Sequence, residues 1–207
     1  MKGISILIIL LLILNSCATK KDRTNENLKE CINEQILSSV NNIQEFAGSE
    51  LTNKNNFDFF DTIADFEEKL VSNNVLEGRN KKDYKNLIDL LEKSKIAADL
   101  IIKLYEQDSF LAFISGTAVT TTSIYDYCPL TIVEKNQSRR VAKKKDIFDK
   151  IQMKGFTDYI PEIREYSEMI DFESDVERLQ LSFLIYNYLN THYWNRRERE
   201  EPVFWNE

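Results

Sequence analysis

The feature that most constrains this chain is the spacing of its apolar residues in a sequence with few chain-turning residues. Only five glycines and three prolines occur in 207 residues. Many tight turns would need Gly or Pro, so an all-β fold is disfavoured. The apolar residues instead recur three and four apart, the period of one helical face. Leu28, Cys31, Ile32, Ile36, Val40, Ile43 and Phe46 form a first stripe that Gly48 ends. Phe59, Phe60, Ile63, Phe66, Leu70 and Val71 form a second, broken by Asn73, Asn74 and Gly78. Asn80, with Asp83 three residues on, caps a third whose inward residues run from Tyr84 and Leu87 to Ile101 and Tyr105.

Later elements follow the same logic. Ile147, Phe148 and Ile151 mark a helix ending near Gly155, and Asp158 with Pro161 opens another along Ile163, Tyr166 and Met169. Ser174 followed by Glu177 is a capping-box pattern, and it opens a helix that is apolar all round the wheel from Val176 to Leu189. Such a helix belongs at the centre of a bundle. The stretch from Phe110 to Tyr127 is ambiguous. Its Thr117, Val119, Thr120, Thr121, Thr122 and Ile124 favour strand, whereas Ala112, Gly116 and Thr120 recur at a spacing that suits a close-packed helix face. We expect a helix there, with a hairpin as the alternative, closed by Pro129 and followed by a short extended piece from Leu130 to Glu134. The expected fold is all-α: a single-domain bundle of about six to seven helices, with any β element confined to the neighbourhood of 110–134.

The N-terminus is of a different kind. Between Ile4 and Leu14 ten of eleven residues are Ile or Leu, preceded by Lys2. As a helix this run spans roughly 16 Å, about half of a ~30 Å hydrocarbon core, so it reads as the apolar part of a signal peptide rather than as a membrane span. Leu14, Asn15, Ser16 and Cys17 follow in the order −3, −2, −1 and +1. This stretch resembles the lipobox of bacterial lipoproteins, over residues 1–17 alone. The resemblance implies acylation of the Cys17 sulfur, cleavage between Ser16 and Cys17, and a protein lipid-anchored in the bacterial cell envelope. The expected organisation is then a signal peptide (1–16), lipidated Cys17 with a polar tether (17–27), and a helical domain (28–207). A tether of about ten residues reaches at most ~35 Å, which keeps the domain near its membrane.

Composition is that of a folded protein, at 43% hydrophobic and 29% charged residues. The formal charge is −7, and loss of Lys2 with a leader makes it one unit more acidic. That balance argues against nucleic acid as a partner, because phosphates need a basic face. With Cys17 acylated, Cys31 and Cys128 remain, and outside the reducing cytoplasm such a pair forms a disulfide readily. Two separate buried thiols are the alternative.

No catalytic constellation is visible. The only histidine is His192, and no serine sits in a glycine-flanked turn that would expose it as a nucleophile. One histidine and two cysteines lack the ligand spacing of a zinc site, and phosphate-cradling glycine-rich loops are missing. No cofactor or metal is expected. Glu162 with Glu165 and Glu173 with Glu177 lie at helical spacing, the usual pattern of a solvated face.

Two charge blocks and the tail are the candidate interaction sites. Arg139, Arg140, Lys143, Lys144 and Lys145 place five positive charges in seven residues, and Asp158 to Glu177 carries eight acids against the single base Arg164. Either the two blocks neutralise one another, or they dock: the basic one on lipid head groups, the acidic one on a cationic protein. Near the end, Phe204 and Trp205 either fold back onto the bundle or offer an aromatic peptide to a partner. The reading that results is a membrane-anchored, non-catalytic binding or accessory protein with an envelope protein as partner. The alternatives are an immunity or inhibitor lipoprotein and a hydrolase that works through carboxylates, which requires two carboxyl groups about 5–10 Å apart across a cleft.

Overall fold

The computed structural model describes residues 23–42, 58–93, 111, 114–115, 118–132, 138–155 and 158–200. The leader, Ser16, Cys17, the ends assigned to the first and third stripes (Phe46, Gly48, Ala98 to Tyr105), and Phe204 and Trp205 lie outside these residues, as does the side chain of His192. Among the described residues every regular element is helical, and no helix is long and apolar enough to cross a membrane. The elements are α1 (23–42), α2 (Phe59–Ser72), α3 (Lys81–Glu92), α4 (Ala118–Thr122), a π-helical turn (Ser123–Tyr127), α5 (Cys128–Ile132), α6 (Ser138–Met153), α7 (Ile160–Met169) and α8 (Asp175–Glu200).

Each stripe becomes a buried face. Leu28, Ile32, Ile36 and Val40 are the inward side of α1, and Phe59, Phe60, Ile63, Phe66 and Leu70 that of α2. Asp58 caps α2 by accepting from the Asp61 amide at 2.9 Å. Asn33 of α1 joins this start, donating to Asp58 at 2.6 Å and accepting from the Phe59 amide at 2.8 Å. The helix ends at Asn73, and Asn74 takes a left-handed φ of 56°. α3 opens with a complete capping box: Asn80 Oδ1 accepts from the amides of Lys82 and Asp83, and Asp83 Oδ2 accepts from the Asn80 amide. Gly78 is required by this arrangement, because a Cβ there would stand 2.6 Å from the same Asp83 oxygen.

Helix α8 is the axis. From Leu179 to Leu189 every residue is buried, and α2 and α7 pack on different sides of it. Phe183 meets Phe59 edge to face at 5.0 Å, and Tyr186 meets Phe66 likewise at 5.1 Å. α7 in turn packs against α3 and α6, and the π turn and α5 lie against α6. A disulfide between Cys31 and Cys128 fastens α1 to α5, with Cα atoms 5.9 Å apart and 97 positions between them in sequence.

Three expectations are corrected. The tether does not run to Asn27: residues 23–27 are already helical, and Thr24 and Asn25 are half-buried against the bundle. The ambiguous stretch, by contrast, is helical in its described residues, as expected. Burial decides this against the threonines' strand preference, since Thr120, Thr121, Ser123 and Ile124 all face the interior.

Pro129 does not close that stretch, nor does an extended piece begin at Leu130, because α5 runs on to Ile132. The π turn, in which the Cys128 amide reaches the Ser123 carbonyl, re-registers the backbone just ahead of the proline. Finally, the capping box at Ser174 does not form. The Ser174 hydroxyl is buried without a hydrogen bond among the described residues, and Glu177 turns to other partners.

Candidate functional site

The turn of Glu177 away from the cap creates the most distinctive site in the molecule. It lies at one end of the bundle, where the first turns of α1, α6 and α8 meet α7 and the π turn. A cavity of about 70 Å³ opens there. Such a space admits several waters or a small polyatomic group. One wall is apolar, made by Leu28, Ile124, Pro129, Val141 and Val176. The other is built from charges and phenols.

Glu177 holds that polar wall together. Its carboxylate accepts from Arg140 Nη2 at 2.6 Å, from the Asp171 amide at 2.6 Å, and pairs with Lys144 Nζ at 3.0 Å. Arg140 also donates from Nε and Nη2 to the Met169 carbonyl, at 3.0 and 2.6 Å, which caps the C-terminal end of α7 with a cation. Lys144 lies 5.6 Å over the Tyr166 ring. Loss of hydration pulls its ammonium below the usual lysine range, an effect that Glu177 opposes and does not cancel. Tyr166 is pushed upward, first by burial and then by the neighbouring Glu177 charge.

Beneath the cavity Gln180 organises a buried polar floor. Its Nε2 donates to the Ile124 carbonyl at 3.2 Å, its Oε1 accepts from the Tyr166 hydroxyl at 3.2 Å, and its backbone carbonyl accepts from Tyr125 at 2.6 Å. Pro129, without an N–H, cannot serve the carbonyls of the turn before it, and the glutamine amide takes over that role for Ile124. Tyr125 stacks on Phe148 at 4.9 Å, and burial pushes its phenol far above the ordinary value.

Of the five basic candidates, Arg140 and Lys144 come together at the cavity. Lys145 points elsewhere, to Asp149 at 2.7 Å and Asp126 at 3.6 Å, and the hydrogen bond to Asp149 leads in raising its pKa. Arg139 and Lys143 are exposed. Half of the eight acids of the acidic block pair with cations from other parts of the bundle, Glu177 among them. Lys81 pairs with Glu168 at 2.6 Å, Lys150 with Glu165 at 3.0 Å and Lys154 with Glu162 at 2.9 Å, while Arg164 bridges Asp89 and Glu92 of α3. Glu177 is the carboxylate among the described cavity-lining residues, so the two facing carboxyl groups of a glycoside hydrolase do not occur there. Among the described residues no group of three His, Cys, Asp or Glu side chains could hold a metal ion.

A second polar cluster surrounds Glu67. Glu67 is 1% exposed and takes hydrogen bonds from Arg79 and Arg178, both at 2.9 Å, and from the Tyr84 hydroxyl, which also meets Ser182. Burial leads in pushing Tyr84 up, with Glu67 adding to it. The sequence holds a signal for this cluster: Glu67 falls between Ile63 and Leu70 on the inward face of α2, where an apolar residue belongs. Gln180 gave no comparable signal.

The class these features define is an all-α domain with a charged cavity at the end where its first helix begins. Comparison with protein-family models, with curated proteins and with solved structures finds no match for the chain.

Proposed function

We propose that this protein is a bacterial envelope lipoprotein, held at a membrane by an acylated Cys17, whose helical domain acts by binding. The observation that carries the reading is the apolar run ending in Leu14, Asn15, Ser16 and Cys17. The Cys31–Cys128 bridge supports it, because such bonds persist outside the reducing cytoplasm. The bridge also suits an anchored protein mechanically, since it fastens the helix nearest the anchor to the far side of the chain. The six positions from Cys17 to residue 23, the first described residue of α1, span at most about 21 Å.

Half of the acidic block that an inhibitor of a basic target would use is already paired with cations of or next to α3 and α6, which favours the accessory-protein reading. Growth with a clickable fatty acid tests it, comparing wild type with Cys17→Ala. Labelled wild type in the membrane fraction, with label lost in the variant, is the expected result. Unlabelled wild type in the soluble fraction would overturn it.

A further inference from the structure

The end of the bundle where the described part of α1 starts gathers several cations in a chain that is acidic overall. Acids exceed bases by 34 to 27 overall, yet Lys20, Lys21 and Arg23 surround the single acid Asp22 just ahead of and at the start of α1. The first turns of α6 add Arg139, Arg140, Lys143 and Lys144. Of the first segment Arg23 is described, and it adjoins the second, because the next residues, Thr24 and Asn25, line the same cavity as Arg140 and Lys144. Beside them, Pro129 of the cavity wall lies between Tyr127 and Leu130, two large apolar side chains that are 51% and 50% exposed. Exposed cations flanking an exposed aromatic and an exposed aliphatic side chain match the layering of a bilayer interface: phosphates outermost, then glycerol and the first methylenes.

The cavity has the matching chemistry. Arg140 keeps 46% of its side chain exposed, and its Nη1 makes no hydrogen bond among the described residues. Lys144 supplies a poorly hydrated ammonium, 12% exposed, one helical turn away. An oxyanion at the mouth would meet both cations, with the five apolar side chains of the opposite wall left for the carbon atoms attached to it.

We propose that this end of the bundle rests on an anionic bilayer surface and that the cavity takes the phosphodiester of a phospholipid head group. Arg140 and Lys144 hold the phosphate, Arg139 and Lys143 meet neighbouring head groups, and Tyr127 and Leu130 enter the interface. The proposal rests on the anchoring role of Cys17, which keeps Thr24 within about 25 Å of the lipid layer.

The test uses full-length protein purified from membranes and added to vesicles of phosphatidylcholine alone or of equimolar phosphatidylcholine and phosphatidylglycerol. Each vesicle carries a phospholipid with a photoreactive group in its head. On the anionic vesicles label should concentrate in residues 127–144. It should fall about tenfold in Arg139→Glu/Lys143→Glu, whose wild-type side chains are exposed, with thermal stability unchanged. The neutral pair Arg139→Gln/Lys143→Gln should lose less label in the same direction, which keeps the test readable if the reversed pair folds poorly. Label spread over the acidic helices, label indifferent to both double variants, or label abolished by excess soluble glycerol phosphate would overturn the proposal. Intact mass of the same sample reports acylation of Cys17 separately. Acylated protein without the local label sinks the head-group site alone, and local label on unacylated protein sinks the anchor alone.

Discussion

At the scale of single residues, the polar floor under the cavity is held by one side chain. Gln180 meets the Ile124 carbonyl, which its own strand of helix leaves open because Pro129 has no N–H, and it gives the Tyr166 hydroxyl an acceptor. Replacing Gln180 with leucine keeps the volume roughly constant and strands both groups away from water. The variant should lose about 1–3 kcal/mol in urea unfolding, the desolvation cost of an unmade buried hydrogen bond. A loss under about 0.5 kcal/mol would show that the floor rearranges to satisfy itself. Glu67 is the counterpart on the other side of α8, where two arginines and a phenol surround one buried carboxylate.

At the scale of elements, two helix starts carry the same local signature and behave differently. Asn80 and Asp83 close a capping box, whereas the equivalent bonds of Ser174 and Glu177 are absent. The reason is competition. Asp83 bonds the Asn80 backbone, but the Glu177 carboxylate is already held by Arg140, Lys144 and the Asp171 amide. Asn80→Ala should therefore cost about 1–2 kcal/mol of unfolding free energy, and Ser174→Ala less than about 0.5 kcal/mol. Thermal melts of the two variants side by side check the contrast, which equal losses would remove.

At the scale of the whole molecule, the disulfide and the buried phenols set the conditions under which the fold persists. The bridge closes nearly half the chain, so its removal in Cys31→Ser/Cys128→Ser should lower stability by up to about 4–5 kcal/mol through the greater freedom of the unfolded state. Denaturant midpoints with and without the bridge measure that loss.

Base should act more abruptly. Tyr84, Tyr125, Tyr159 and Tyr166 are all held well above the ordinary phenol range by burial. In the unfolded chain they ionise near pH 10, so above that value the unfolded state binds fewer protons than the folded one and stability falls as pH rises. With four such groups the slope reaches about 5 kcal/mol per pH unit. After exposed phenols such as Tyr127 have ionised, the tyrosinate absorbance of these four and the helical circular dichroism should change together in one cooperative step. Gradual ionisation with the helices intact would contradict the burial of these four rings.

Much of the fold was legible before any coordinates because helix periodicity is a local property. The stripes from Leu28 to Val40 and Phe59 to Leu70, the cap at Asn80, the stop near Gly155 and the all-round burial from Leu179 to Leu189 each follow from residues within a few turns of one another. The candidate site was not legible in that way. Sequence marked Arg140 and Lys144 as part of a charge run, but it could not say that Glu177, Gln180, Tyr166 and Thr24 would surround them. What the chain determines by itself is which faces are apolar, because that depends on a 3.6-residue period. The tertiary structure alone decided which charges those faces bring together, and hence which of two similar cap signatures forms and where a cavity is left, because Arg140 and Lys144, 37 and 33 positions before Glu177, reach its carboxylate from another helix.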